Sequence, residues 1–192
     1  MQSLWLFIFV GLFTPGPNVI MLTSSGARFG FAPTLPHLAG VVVGVGITSA
    51  ATGLGLGALL QQTPELIVIL KVGCAAWILR MAYGLYRAAP PAAAAETDCP
   101  MRFSEAVLFQ WINPKVWAVA LAASASFTAH LSPGLAALVL GLSFSSINLM
   151  VCLFWSVFGA LLAKLLQSDT AWRRFKNTMA VLLAASALLI AI

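Results

Sequence analysis

Apolar residues fill six long stretches of this chain, and short polar or proline-rich connections separate them. Most of the stretches reach about 20 residues, the length that an α-helix needs to cross the hydrocarbon core of a membrane. They predict transmembrane helices at residues 3–24, 37–60, 66–87, 105–127, 134–165 and 175–192. The pattern therefore predicts an all-α membrane protein with six spans.

Proline motifs interrupt the first and fourth stretches near mid-membrane: Thr14-Pro15-Gly16-Pro17-Asn18 and Asn113-Pro114-Lys115. A proline lacks the backbone N–H and clashes with the carbonyl one turn earlier, so neither stretch can be one continuous helix. Pro17 and Pro114 suit the first position of a new helix, and Asn113 suits an N-cap. Irregular backbone at this depth persists only where protein buries it or where it lines a wet cavity. Both breaks are therefore candidate sites.

The two breaks occupy corresponding positions in two halves of three helices each. An odd number of helices per half makes the halves point in opposite directions, and matching breaks in such inverted repeats indicate a transporter's central site. We predict a first repeat at residues 1–87, a cytoplasmic linker at 88–104 and a second repeat at 105–192, all within one transmembrane domain. The linker contains Pro90-Pro91 and four alanines, which is typical of a flexible segment.

Composition agrees with a membrane protein, since 61% of the residues are hydrophobic and 8% are charged, against about 25% charged in soluble domains. The net charge is +5, and seven of the ten Lys and Arg residues lie in or beside the first, third and fifth connections, whereas the second and fourth connections contain none. The positive-inside rule then places the odd-numbered connections in the cytoplasm and both termini on the opposite side of the membrane. The expected partner of the basic residues is the lipid bilayer rather than a nucleic acid.

The three cysteines, Cys74, Cys99 and Cys152, show no metal-ligand or redox spacing. We therefore expect no metal site, no disulfide framework and no cofactor. The chain also lacks a Ser-His-Asp arrangement, an HExxH motif and a phosphate loop, so the sequence predicts a transporter rather than an enzyme.

Each break begins a half-helix whose N-terminus carries a partial positive charge, and Lys115 adds a full one. This combination favours an anion such as a carboxylate. No Asp or Glu lies deep in an apolar stretch, so either the substrate or exposed backbone carbonyls must compensate the ammonium. The candidate substrate-binding residues come from the two breaks and the polar middle of the fifth stretch: Pro15, Gly16, Pro17, Asn18, Asn113, Pro114, Lys115 and Asn148.

Several other polar or aromatic residues are open to two interpretations. Trp111 and Trp117 flank the second break and suit either a cavity wall or packing. Lys71 and Arg80 lie nearer the ends of the third stretch, where their stems can reach the interface. His37 is predicted to be an interface residue, and it is the group at the membrane edge best suited to proton coupling.

Four stretches resemble the LysE/RhtB family of amino-acid exporters: residues 14–18 (TPGPN), 25–30 (SGARFG), 70–76 (LKVGCAA) and 109–115 (FQWINPK). The resemblance implies a six-helix inner-membrane protein that exports amino acids or close small zwitterionic metabolites. Around Asn113-Pro114-Lys115 the chain is similar to the branch that exports neutral amino acids, including cysteine and O-acetylserine. It departs from the family at Arg80, where members usually carry an apolar or aromatic residue.

The predicted function is efflux by alternating access around a mid-membrane carboxylate site, with protons as a candidate coupling ion. A membrane thiol oxidoreductase is an alternative, but the breaks here hold Gly and Asn where it would need cysteines. A divalent-metal exporter would need hard oxygen ligands at mid-depth. A non-transporting scaffold is a further alternative, and it would not need Lys115. The oligomeric state is left open.

Overall fold

The computed structural model describes residues 1–56, 62–89, 99–166 and 168–191, and these residues form helices without a strand. A π-helical turn at Ser124–Thr128 and a 3₁₀ turn at Ala163–Leu165 extend two of the α-helices. The eight α-helices of the described residues, in chain order, are α1 (Gln2–Phe13), α2 (Pro17–Phe29), α3 (Phe31–Gly53), α4 (Pro64–Tyr86), α5 (Phe103–Ile112), α6 (Pro114–Ala123), α7 (Pro133–Leu162) and α8 (Asp169–Ala191).

Three helical segments are long and apolar enough to cross a membrane: Phe31–Gly53, Glu65–Tyr86 and Pro133–Leu165. Two bent pairs add a span each if each pair counts as one, with angles of 62° between α1 and α2 and 64° between α5 and α6. Five of the six predicted spans are thus supported among the described residues. The sixth, in α8, stays a prediction. Residues 90–98 of the predicted linker lie outside the described part of the chain.

Exposed apolar side chains cover much of the outer surface of the helices. Large hydrophobic residues such as Leu6, Val68 and Leu142 are each more than half exposed. A soluble protein would bury many of these side chains, whereas a surface that faces lipid has no need to. The prediction of an all-α membrane protein is confirmed.

The first connection differs from the prediction. Residues 25–36 were expected to link two spans, but they are helical except at Gly30, where α2 ends and α3 begins. Gly30 has a φ of 84°, a left-handed conformation that glycine adopts without a steric penalty. Thr34 Oγ1 donates to the Gly30 carbonyl at 2.8 Å and lies 3.1 Å from Ser25 Oγ, so side chains tie the two helices together at the turn.

The helices of each half pack against the broken pair of the other half. α7 contacts α1 and α2, while α3 contacts α5 and α6; α3 also packs along α7, and α4 packs along α8. On exchange of the two halves, the long helix of each half still contacts the broken pair of the other, although α7 packs mainly on α2 and α3 mainly on α5. Inverted repeats would give this pattern, and the division into repeats itself stays a prediction.

Glycines bring these helices together at very short distances. A Cβ added at Gly159 of α7 would lie 3.0 Å from Cα of Thr23 in α2, and one added at Gly26 of α2 would lie 3.1 Å from the backbone N of Ala160. Gly44 of α3 leaves room for Gln110 of α5, whose Cγ would be 2.7 Å from an added Cβ. Such small residues let backbones pack closely in membranes. The close packing fixes α2, α3, α5 and α7 around the two breaks.

Candidate functional site

The two helix breaks meet through a hydrogen bond between a lysine and a backbone carbonyl. Nζ of Lys115, at the start of α6, donates to the carbonyl of Thr14, which follows α1. That carbonyl lies where the prolines end the helix. Of the two partners expected for the ammonium, the structure shows the exposed backbone carbonyl.

Gly16 lies directly against the Lys115 side chain. A Cβ built on Gly16 would be 3.0 Å from Nζ and 3.1 Å from Cδ of Lys115. A larger residue would therefore push the lysine away from the break. The glycine between the two prolines is needed here for space, since its φ of −171° is ordinary extended backbone.

The two half-helices begin differently. At α6, Asn113 is the N-cap as predicted: its side-chain oxygen accepts from the backbone N–H of Lys115 at 3.2 Å, and Pro114 takes the first helical position. At α2, Pro17 takes the first position after Gly16, and no side chain caps the helix. The α6 end therefore has one N–H already occupied, whereas the α2 end is the more open of the two to an anion.

A pair of amide side chains joins α2 to α5. Nδ2 of Asn18 donates to Oε1 of Gln110 at 2.8 Å, and Nε2 of Gln110 donates back to Oδ1 of Asn18 at 3.2 Å. Gln110 is fully buried and also donates to the carbonyl of Ala106 at 2.9 Å. The sequence interpretation did not include Gln110 among the site residues. The signal was its position three residues before Asn113 in an otherwise apolar turn.

A small pocket, which we call the central pocket, lies between the two breaks. It contains six of the eight predicted residues, while exposed Pro15 and half-buried Pro114 are not among those that line it. Its volume of about 20 Å³ suffices for roughly one water molecule. The lining residues are Leu12, Gly16, Pro17, Asn18, Val19, Leu22, Asn113, Lys115, Val116, Asn148 and Cys152.

Asn148 and Cys152 bring one face of α7 into the central pocket. Both are buried, and Nδ2 of Asn148 has no hydrogen-bond partner among the described residues. Among the described residues that line the pocket, Cys152 is the one cysteine. Cys74 lies on α4 and is not part of the lining. The pocket therefore presents an amide and a thiol from α7 to the two breaks.

Trp111 and Trp117 pack on each other across the second break. Their ring centroids are 6.1 Å apart, and Nε1 of Trp117 donates to the carbonyl of Trp111 at 2.8 Å. Neither residue lines the central pocket. Of the two interpretations of these tryptophans, the structure supports packing.

Comparison with known proteins assigns the family. Residues 9–192 match the LysE type translocators. The chain belongs to this family. It is also similar to an uncharacterized membrane protein of Pseudomonas aeruginosa, with 28% identity over 177 residues that cover 86% of this chain and 79% of that protein. No solved structure matches.

This LysE type translocator also has a wide cavity, which we call the vestibule. Its volume is about 820 Å³, and residues of α2, α3, α4, α5 and α8 contribute to its walls. Among the described residues, the charged ones that line it are four arginines and one glutamate: Arg28, Arg80, Arg87, Arg102 and Glu105. Lys176 of α8 donates to the carbonyls of Tyr86 and Ala88 at 2.8 and 2.9 Å. Basic residues near the first, third and fifth connections thus gather at one end of the translocator.

His37 lines the vestibule and is only 1% exposed. The expectation of an interface residue is wrong, because α3 begins at Phe31 and carries His37 into the bundle, beneath the turn at Gly30. Neither ring nitrogen has a hydrogen-bond partner among the described residues. The sequence interpretation placed His37 at the start of its span and therefore too close to water.

Proposed function

We propose that this LysE type translocator exports amino acids or close small zwitterions across the inner membrane. The family supports membrane translocation, and the arrangement of the two breaks supports a carboxylate-bearing substrate. The observation that carries the proposal is the position of Lys115, a cation between two broken helices, bonded to a backbone carbonyl that a substrate could replace.

The substrate's carboxylate would bind at the open start of α2, near Gly16 and Asn18, and would pair with Lys115. Its ammonium group would meet the carbonyl that Lys115 releases, or the side chain of Asn148. Lys115 would then exchange the neutral Thr14 carbonyl for the charged carboxylate of the substrate. The Thr14 carbonyl would accept from the substrate's ammonium group instead. Every polar group of the substrate's backbone then has a partner at the break.

Transport requires the helices around the central pocket to move. An amino acid is far larger than the present volume of about 20 Å³, so this conformation is closed at the centre. Alternating access by the two halves would open the pocket to each side in turn. Proton exchange is the coupling that we propose, because a neutral solute needs a second gradient to leave the cell against its own.

The proposal is tested by efflux from proteoliposomes preloaded with single labelled amino acids, including cysteine, and with O-acetylserine. Wild type is compared with Lys115→Met, which keeps the stem against Gly16 but removes the charge. The loss of a charge-assisted hydrogen bond costs about 1.5–3 kcal/mol, so we expect efflux to fall about tenfold or more.

Lys71→Met is the matched control, because Lys71 lies on α4 and does not line the central pocket. Its efflux should equal that of wild type. Wild-type efflux that Lys115→Met leaves intact would place the substrate elsewhere. No efflux of any tested solute from folded protein would refute the export function and favour a scaffold.

A further inference from the structure

We infer that the vestibule is a second binding site, which holds the carboxylate of a small solute before that solute reaches the central pocket. This inference rests on the proposed export function, since it names the solute as the one exported. It follows from three properties of the vestibule: its size, the charge of its walls and the unpartnered polar groups that border it.

The vestibule has the size of a ligand site. Its volume of about 820 Å³ lies within the range of about 300–1,000 Å³ that is typical of small-molecule pockets. Met21 of α2 lines the vestibule, and the next residue, Leu22, lines the central pocket. Helix α2 therefore forms part of the wall of both cavities. A solute bound in the vestibule is therefore one helix away from the break.

The walls carry an excess of positive charge that attracts anions. The described lining has four arginines and one glutamate, and Oε2 of that glutamate, Glu105, accepts from the backbone N–H of Arg102 at 3.0 Å. Arg80 is exposed to the cavity and forms no hydrogen bond or ion pair with any described residue. A guanidinium presents a fork of donors that matches a carboxylate, so Arg80 is the first partner that a solute would find.

Unpartnered polar atoms border the same cavity. Oγ of Ser24, both ring nitrogens of His37 and Nε1 of Trp77 belong to lining residues and have no hydrogen-bond partner among the described residues. Buried polar groups are nearly always bonded, so several exceptions around one cavity need an explanation. These atoms are covered in this conformation, so a bound solute would reach them only where the side chains rotate.

Binding is measured as the rise of the thermal unfolding midpoint of the purified full-length protein with increasing concentration of a single solute. The probes are the common amino acids and O-acetylserine, each compared with its amide, which lacks the carboxylate. We expect at least one amino acid to stabilise the protein and its amide not to. Arg80→Met should raise the apparent dissociation constant about tenfold or more.

Three variants distinguish a ligand contact from a structural effect. Arg80→Lys keeps the charge without the fork and should bind with intermediate affinity. Arg173→Met removes an exposed arginine of α8 that does not line the vestibule, and it should bind like wild type. Lys115→Met, which alters the central pocket, should retain the vestibule's affinity while efflux falls.

The possible outcomes separate this inference from the export function. Binding that Arg80→Met leaves unchanged overturns the inference, even where efflux is intact. Binding that depends on Arg80, in a protein without efflux, keeps the vestibule site and refutes export. Stabilisation by phosphatidylglycerol vesicles but by no amino acid also overturns the inference, because it assigns the arginines to lipid headgroups.

Discussion

The central pocket and the vestibule differ in how far their polar groups are paired. Of the pocket residues, Asn18 bonds Gln110 of α5, Asn113 caps α6 and Lys115 donates to a backbone carbonyl. In the vestibule, Arg80 and His37 have no hydrogen-bond partner among the described residues. The volumes differ accordingly, at about 20 Å³ and about 820 Å³.

On the inference above, this difference makes the vestibule the cavity that is ready for a ligand in the present conformation. Paired groups stabilise a closed centre, and a substrate must replace their bonds one for one. Buried groups without a partner cost stability, and a ligand that bonds them removes that cost. A translocator in this state would accept solute at the vestibule while its centre stays closed.

The largest expected effect is a difference in chemical access between the two cavities. Gly84 lines the vestibule, and a Cβ added there meets nothing within 4 Å. In a Cys99→Ser background, Gly84→Cys should react rapidly with a membrane-impermeant thiol reagent, while native Cys152 in the pocket should not. An opening cost of about 3 kcal/mol at Cys152 would make the rates differ on the order of 10²-fold. Mass spectrometry of the modified peptides measures both rates.

Gly73→Cys is the control for this comparison. Gly73 is equally open and lies on the same helix, but it does not line the vestibule. A thiol there should stay unmodified, because lipid excludes both the reagent and the thiolate. If the thiol of Gly84→Cys were modified as slowly as that of Gly73→Cys, the vestibule would not admit water.

A second prediction compares the stability that polar groups give in each cavity. Gln110→Leu leaves the Asn18 amide without its partner and should lower the free energy of unfolding by about 1–2 kcal/mol. Ser24→Ala removes a buried oxygen that has no partner among the described residues, so it should not lower the free energy of unfolding. Unfolding in detergent with a chemical denaturant measures both variants.

The double variant Asn18→Leu with Gln110→Leu is the internal check. Removing both amides leaves no unpaired group, so part of the loss seen in Gln110→Leu should be recovered. If the two losses simply add, the hydrogen bonds between Asn18 and Gln110 do not couple α2 to α5, and the contrast between the cavities disappears.

The sequence was sufficient to locate the breaks because local chemistry determines them. Pro17 and Pro114 begin new helices, and Asn113 caps one of them, whatever surrounds them. Reading one stretch at a time failed at residues 25–36, which were predicted to be a connection but are helical except at Gly30. Pro33 lies in the first turn of α3, where a missing N–H is tolerated, and α3 also accommodates Pro36.

The contacts between distant segments could not be predicted in the same way. The partner of Gln110 lies 92 residues away, and the vestibule draws its walls from five helices. No periodicity in one segment indicates which residue of another will face it. His37 was misplaced for the same reason, because its burial depends on the helices packed around α3.

The smallest expected effect concerns Asn148, the pocket residue that resembles the vestibule in having an unpartnered donor. Asn148→Leu keeps the volume and loses no hydrogen bond at Nδ2, so the free energy of unfolding should stay within about 0.5 kcal/mol of wild type. If the amide contacts the substrate during transport, one hydrogen bond is lost there, and KM for efflux should rise about two- to tenfold.

Asn177→Leu makes the same change on α8, where Oδ1 of Asn177 is unpartnered and the residue lines neither cavity. Proteoliposome efflux over a range of substrate concentrations measures KM for both variants. A rise of KM in Asn148→Leu alone would mean that the substrate contacts Asn148 of α7 during transport. The closed pocket would then contain one amide that bonds the substrate but no described protein group. An equal rise of KM in both variants would mean that Asn148 acts through helix packing. Unpaired polar groups that await a ligand would then be confined to the vestibule.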